Sequence, residues 1–523
     1  MPIATGSSNA MIPVNGKPVI GWVLDDLLKK NIREAVIVAQ AGNLALAKYV
    51  EWAFRGRMQV RWAWLDTPGN IIHSLLAGLS SRRNSPVTVV LGDTLITDSF
   101  YTSADYVLVS SDYDDPSNWC LAQTDENDVV LQYFDKQADA PSGLPALTGF
   151  YHFSDAAALY DAGQSALQHS GNELSDALRF YGNKHPIRAI QAQKWYDFGH
   201  MPHFLKARQD LLSARYFNRI QIEPVRGILR KSSENIEKLS DEYDWYQSLP
   251  PELSILTPRL LSGQKKENAF HLEQEYYGYP NLAELYLYGN LDRDIWKTAL
   301  RNLMDVHKRL CSFQGHVSAE DARAMYGEKP LARFRAWQEE NSLFGKIAAL
   351  ETIEWNGQTL LNLPHLLPLI ESGCEQLAQN VQGGILHGDY CLSNILYDPQ
   401  NQLVRLIDPR GRFGRKGIFG DPRYDMAKLR HSLNGGYDFI LADLFQLDLP
   451  EPGVFRSNIC RDAFHDDLAV FFDRLLNEAG YDLSEIRHIE ATLFLSMLPF
   501  HRGAPERQIM MYLRAIQLLN QLR

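Results

Sequence analysis

The stretch from Gly384 to Arg410 constrains this chain more than any other. It reads Gly-Ile-Leu-His387-Gly-Asp389-Tyr-Cys-Leu-Ser-Asn394-Ile-Leu-Tyr, then Asp398-Pro-Gln-Asn401, then Leu403-Val-Arg-Leu-Ile-Asp408-Pro-Arg410. Turn residues between two short apolar runs predict a β-hairpin. The pattern is therefore a loop bearing Asp389 and Asn394, a hairpin, and Asp408 at the end of its second strand. Phosphoryl transfer from ATP needs a carboxylate near the attacking hydroxyl, plus an amide oxygen and a second carboxylate to hold Mg²⁺. Asp389, Asn394 and Asp408 supply those groups in that order. The plainer reading, two aspartates that only cap turns, has to account for five matched positions across two strands.

This segment resembles the aminoglycoside phosphotransferase and choline kinase family, whose motif is His-Gly-Asp, four residues, Asn, then Ile-Asp. The resemblance implies an α+β, two-lobed protein-kinase-like fold with ATP as a substrate. It makes Asp389 the group at the acceptor hydroxyl, Asn394 and Asp408 the Mg²⁺ ligands, and His387 a structural support. An aspartate before a Met-Ala pair buttresses the catalytic loop in this family, and Asp425 matches it in Gly420-Asp-Pro-Arg-Tyr-Asp425-Met-Ala-Lys428.

The chain before the motif reads consistently. Gln221 to Lys231 predicts a hairpin ending on a lysine-bearing strand, followed by a helix from Ile236 to Leu249 with Glu242 inside it. A kinase small lobe pairs such a lysine, which holds the α- and β-phosphates, with a helix glutamate; Lys231 and Glu242 fill those places. The alternative is a solvated Lys and Glu on an exposed face. Phe270 to Pro280 looks like the strand and hinge whose backbone meets adenine, which makes Glu275 and Tyr277 ATP-binding. From Asn281 to Leu386 a helical region is expected, and the end of the chain reads as amphipathic bundle core.

Composition narrows the partners. The net charge of −11 and the pI near 5.8 argue against nucleic acid or an anionic membrane surface. Five scattered cysteines, without a CxxC pair, read as reduced thiols in a cytoplasm. No apolar run reaches the ~18 residues of a membrane span, and no signal peptide is apparent. A cytoplasmic enzyme acting on small molecules is expected; the oligomeric state is not readable.

In the first half, apolar residues at Ile20, Val23, Leu24, Leu27 and Leu28 recur at helical spacing. A strand-like Glu34–Ala39, a helix around Leu44 to Phe54 and a strand-like Val87–Leu91 ending in Gly92-Asp93 follow. Alternating strands and helices predict a doubly wound, mostly parallel sheet with ligands beyond the strands' carboxyl ends. Here the chain resembles the sugar-phosphate and choline-phosphate nucleotidyltransferases, through Pro13-Val-Asn-Gly-Lys-Pro-Val-Ile20, Val90-Leu-Gly-Asp93, Phe134-Asp-Lys136, Thr148-Gly149-Phe-Tyr-His-Phe153, Glu173-Leu-Ser-Asp176 and Trp195-Tyr-Asp197-Phe-Gly199-His200. The resemblance makes Asp93 and Asp197 the Mg²⁺ ligands and sets Lys136 on the acceptor phosphate. Bringing two phosphates together requires such neutralisation. The family's Gly-rich, Arg-bearing first loop is reduced to Gly6-Ser7-Ser8-Asn9, which would carry the nucleotide, and Asn9 falls where a lysine is expected. Pro2–Ala4 is short for a central strand. Either the start lies upstream of Met1 or this loop has decayed.

These readings divide the chain into a nucleotidyltransferase-like domain, 1–212, and a kinase-like domain, 213–523, with a small lobe of about 213–280 and a large lobe of about 281–523. Together they point to a bifunctional enzyme. It would phosphorylate a small hydroxylated or amino metabolite and join the phosphomonoester to a nucleotide. CTP is favoured over other NTPs through the choline-phosphate analogy, and the product would serve capsule or lipopolysaccharide modification. The first alternative is a small-molecule kinase whose other half packs or senses; the second is a non-catalytic regulatory protein, which the intact Asp389, Asn394 and Asp408 oppose.

Overall fold

Residues 9–67, 69–80, 83, 85–98, 104–211, 218–223, 225–289 and 291–523 are described by a computed structural model. The chain divides into two units, Met1–Leu211 and Leu212–Arg523.

In the first unit, the helix Val19–Lys29 buries Val19, Ile20, Val23, Leu24 and Leu27, the stripe its spacing predicts. The strands Glu34–Gln40 and Gln59–Leu65 pair in parallel across the intervening helix Leu44–Ala53. A second sheet runs in the order Arg188–Gln191, Tyr106–Ser110, Ala146–Phe153, Cys120–Thr124, Val130–Asp135, with Val87–Val90 also against Ala146–Phe153. Arg188–Gln191 is parallel to Tyr106–Ser110, but Ala146–Phe153 is antiparallel to all three of its neighbours. This sheet is therefore mixed, not mostly parallel. Glu34–Gln40 and Gln59–Leu65, joined through a helix, run parallel, whereas Ala146–Phe153 follows the hairpin Cys120–Asp135 through a loop and needs no crossover to pair antiparallel. All eight of its residues are buried. Tyr151 and Phe153 pack on Leu75, Leu159 and Tyr181 in the unit's main core.

An apolar cleft of about 650 Å³ is lined by Val36 and Val38 of one pair, Val89 and Val90 of the other sheet, and Leu24 and Leu75 from the helices. The expected short first strand, Pro2–Ala4, lies outside the described residues.

The second unit begins with four antiparallel strands in the order Asn218–Glu223, Ile228–Ser233, Ala269–Glu275, Leu260–Lys266. The helix Ile236–Ser248 lays Leu239 against Phe270 and Leu272 of this sheet. Helices dominate from Leu282 onward, with one correction. Thr352–Trp355 and Gln358–Leu361 form a hairpin that joins Val454–Ile459 and Phe445–Glu451 in a second four-stranded sheet. Asn356 and Gly357 both sit at positive φ, 50° and 79°, which is the turn an Asn-Gly pair favours. Four-residue strands are too short to outweigh the helical periodicity on either side. The helices around Trp337, Ile370, Phe494 and Tyr512 enclose the large core of this unit. Among the described residues no helix is long and apolar enough to cross a membrane.

Candidate active sites

The hairpin predicted from the motif is present: Ile395–Asp398 pairs with Leu403–Leu406 in antiparallel register. The loop before it is fixed from below by Asp425, on the helix Pro422–Leu433. Its carboxylate accepts the backbone N–H groups of His387 and Gly388, both at 2.8 Å. Burial pushes the Asp425 carboxyl up to about 7, against those two hydrogen bonds. His387 is wholly buried, and burial holds its imidazole down at about 4, so it is neutral at pH 7. Its Nε2–H donates to the Ile407 carbonyl at 3.0 Å, and its Nδ1 accepts from the Asp389 N–H at 3.3 Å. The imidazole thus bridges the loop to the second strand. Gly388 has φ +79°, and a Cβ there would lie 2.8 Å from the Cβ of Arg410, so both the turn and the contact require glycine.

Asp389 meets Lys428 Nζ at 2.9 Å through Oδ1 and the Asn394 amide at 2.9 Å through Oδ2. Burial raises its pKa, but Lys428 and Arg410 outweigh burial and hold the carboxyl well below the usual carboxylate range. Asn394 also donates to the Asp389 carbonyl at 3.0 Å. Its Nδ2 is thereby occupied, which leaves Oδ1 as the atom able to face a cation.

Lys231 and Glu242 are both buried and pair at 2.6 Å, so the exposed-face alternative is excluded. Lys231 also binds Asp408, which sits at φ +57° just past the second hairpin strand, Leu403–Leu406. Non-glycine residues seldom take this conformation, and it aims the carboxylate back toward the lysine. Burial opposes the Lys231 charge, but Asp408 and Glu242 outweigh burial and raise its pKa. At the expected hinge, the Glu275 N–H bonds the Arg259 carbonyl at 3.0 Å, and its carboxylate accepts from the Tyr277 hydroxyl at 3.2 Å. The Glu275 carboxylate also faces the Arg259 guanidinium at 3.3 Å.

In the first unit, Trp195–Asp197 pairs antiparallel with Thr94–Ile96, which sets Asp197 opposite Thr94 and next to Asp93. The Phe198 N–H closes on the Asp93 carbonyl at 2.9 Å. The carboxylates converge over Gly199, where an added Cβ would lie 3.0 Å from Asp93 Oδ2 and 3.3 Å from Asp197 Oδ1. Burial first, and the Asp197 charge second, raise the Asp93 pKa. Asp197 accepts the His200 N–H at 3.0 Å and its Nδ1 at 2.9 Å. A cavity of about 340 Å³ opens beside this pair, lined by Trp119, Gly199, His200 and His203 among others.

Lys136 is not brought to the pair. Its ammonium is bound by Glu173 at 2.6 Å and is about half exposed, while its backbone N–H is tied to the Trp119 carbonyl. Asn9 is exposed in a 3-10 turn whose Ala10 approaches Gly92, the residue before Asp93. Gly6, Ser7 and Ser8 lie outside the described residues.

The donor sets suit Mg²⁺ in both units. Mg²⁺ takes one or two carboxylates and completes its octahedron with water and substrate phosphates. Two converging carboxylates, Asp93 and the buried Asp197, fit that pattern, as do Asp408 and the Asn394 amide oxygen. When bound, the ion would neutralise phosphate charge at each site.

Sequence reasoning passed over Lys428 and Arg410. Both stand inside the motifs it quoted, three residues after Asp425 and two after Asp408. Their charge beside a motif aspartate was the available signal.

Two family models match this chain: nucleotidyl transferase over residues 1–214 and the phosphotransferase enzyme family over residues 213–436. The chain is 24% identical over 215 residues to a glucose-1-phosphate thymidylyltransferase of Xanthomonas campestris pv. campestris, covering 38% of this chain and 71% of that protein. It is 21% identical over 165 residues to a UTP–glucose-1-phosphate uridylyltransferase of Haloferax volcanii, covering 30% and 67%. Among solved structures, it is similar to a UDP-glucose pyrophosphorylase complexed with UDP-glucose (19% identity, TM-score 0.34, 39% of this chain and 89% of that one). It is also similar to a thermostable mutant of an aminoglycoside phosphotransferase (12%, TM-score 0.38, 59% and 93%). The chain joins an N-terminal nucleotidyl transferase domain to a C-terminal phosphotransferase domain, and it is an enzyme with both kinase and nucleotidyltransferase parts.

Proposed function

We propose that the two parts act in series, the kinase making the phosphomonoester that the nucleotidyltransferase consumes. An acceptor hydroxyl attacks the γ-phosphorus of ATP, the bond to the β-phosphate oxygen breaks, ADP leaves, and the hydroxyl proton departs near Asp389. The new phosphomonoester then attacks the α-phosphorus of an NTP, releasing pyrophosphate and leaving an NDP-linked product. The observation that carries the reading is the ionised Asp389 held by Lys428 and Asn394, in the same unit as the buried Lys231–Glu242 pair that also binds Asp408.

Asp389 is too acidic to be a strong base. In a loose phosphoryl-transfer transition state the hydroxyl keeps its proton until late, so orienting it is the larger task. Lys231 holds the α- and β-phosphates, and the hinge backbone around Glu275 and Tyr277 takes adenine. His387 and Asp425 keep the loop in place. In the other domain, Asp93 and Asp197 hold the cation, residues Gly6 to Asn9 cover the triphosphate, and Lys136 leaves Glu173 for the acceptor phosphate.

The domain roles follow as 1–212 and 213–523, with lobes of about 213–280 and 281–523. The relatives' names supply glycosyl 1-phosphates as acceptors, which would make the kinase's target an anomeric hydroxyl. The nucleotide is a pyrimidine NTP: CTP by the choline-phosphate analogy, with UTP and dTTP, which the relatives suggest, as the other arms. A cytoplasmic precursor for capsule or lipopolysaccharide modification is the role this product fits. Asn9, where a lysine is expected, favours one other reading, a kinase with an inactive first domain. Incubating the full chain with ATP, each NTP and a panel of sugars, and measuring ADP and pyrophosphate separately, distinguishes them. ADP without pyrophosphate for every NTP would favour the second reading, and no ADP would reject both.

A further inference from the structure

The helix Ile236–Ser248 brings Glu242 to Lys231, and it is held from two further sides. Trp245, buried on the same helix, donates its indole N–H to the Leu386 carbonyl at 2.7 Å, one residue before His387. The other tie comes from the segment just past Asp408. Arg412–Phe413 and Arg415–Lys416 pair antiparallel around Gly414, which sets Arg412 opposite Lys416. Both cations reach Asp241. The Arg412 Nε–H donates to Asp241 Oδ2 at 2.9 Å, and the Lys416 ammonium stands 3.2 Å from Asp241 Oδ1. Arg412 also binds Glu237, and Lys416 binds Asp244, so the small hairpin grips the helix over two turns.

The hairpin is itself fixed to the helical part of the unit. Phe413 is buried edge-on to Tyr326 and Tyr424, with ring centroids 5.7 Å apart in each case. The Arg415 Nε–H donates at 2.8 Å to Asp321, which closes the capping box of the helix Ala319–Arg323. Gly411 has φ +64°, and an added Cβ would lie 2.1 Å from the Asp241 carbonyl oxygen, so loop and helix backbones touch there.

Ion pairs between exposed side chains contribute little, and Arg412, Lys416, Glu237 and Asp244 are each at least a third exposed. Asp241 differs. It is buried, and a buried carboxylate stripped of its cations is strongly destabilising. Asp241 and Glu242 are consecutive, so they leave the helix about 100° apart and face different partners. Rolling or sliding the helix to free Glu242 would take Asp241 away from both cations. We propose that Arg412 and Lys416 are positioning residues of the kinase: through Asp241 they lock Ile236–Ser248 where Glu242 holds Lys231 for the ATP phosphates. This rests on the kinase reading above and adds that the nucleotide site is assembled before nucleotide arrives.

The test compares the full chain with R412Q/K416Q, E242Q and the triple variant. Hydrogen exchange of the free protein should quicken several-fold over 236–248 in R412Q/K416Q and stay unchanged over Arg293–Cys311. Affinity for Mg²⁺ with AMP-PNP, a non-hydrolysable ATP analogue, is read by calorimetric titration. It should fall about tenfold in R412Q/K416Q and in E242Q, and no further in the triple variant. A merely structural loss would add to that of E242Q. Where the double variant does not fold, R412Q alone, which leaves Lys416 on Asp241, is read in the same way. Unchanged exchange over 236–248, or losses that add, overturns the proposal. An unmodified chain that takes up no AMP-PNP rejects the kinase reading instead, and the exchange arm still decides the clamp.

Discussion

At the scale of single residues, Asp389 carries the account. In the proposed reaction its carboxylate acts in the transition state, so Asp389→Asn should lower kcat and kcat/KM together by about two to four orders of magnitude with ATP binding intact, read by ADP release and by nucleotide titration. Lys428 sets its ionisation. Asp389 has a folded pKa below its unfolded value, so its contribution to stability is full above the ordinary carboxylate range and fades as pH falls toward the lower folded value. Lys428→Met should therefore move the acidic limb of the kcat–pH profile upward.

Asp425 has the opposite sign. Its folded value near 7 exceeds the unfolded one, so ionising it costs stability increasingly as pH rises through the interval from about 4 to about 7. Asp425→Asn should flatten the stability–pH curve in that window in denaturant melts. It should also cost about 1–3 kcal/mol, because an amide can accept only one of the two N–H groups well. A variant curve as steep as the wild type would remove Asp425 as the titrating group.

At the scale of elements, the sequence was most readable where chemistry and local structure coincide. The Asp398–Asn401 turn, the lysine-bearing strand and the helix with Glu242 all lie where their patterns set them. Lys136 shows the limit: a motif gives a residue's place in the chain, while its partner, Glu173, comes from the next helix in space. Gly149 was quoted only as part of a motif, yet its φ of +89° lets Leu91 and Thr94 pack against it. An added Cβ would lie 2.7 Å from Thr94 Oγ1, and Thr94 neighbours Asp93. Gly149→Ala should destabilise the first unit by about 1–3 kcal/mol, the range for such backbone strain, and lower pyrophosphate exchange more than ADP formation. Thermal melting with both assays checks this, and an unchanged exchange rate would detach Gly149 from the Asp93 site.

At the scale of the whole molecule, two transferase domains in one chain raise the question of whether one feeds the other. The proposed metal-binding sets belong to different units, so Asp408→Ala should stop phosphorylation and spare pyrophosphate exchange, and Asp93→Ala should do the reverse. The most direct measurement follows the γ-phosphate of ATP. The full chain is given [γ-³²P]ATP, an unphosphorylated acceptor and a pyrimidine NTP, and the products are separated. Label should pass through the phosphomonoester into the NDP-linked product, stop at the phosphomonoester in Asp93→Ala, and fail to leave ATP in Asp389→Asn. Label that accumulates in the phosphomonoester of the wild-type enzyme, with CTP, UTP and dTTP each present in turn, would contradict transfer in series.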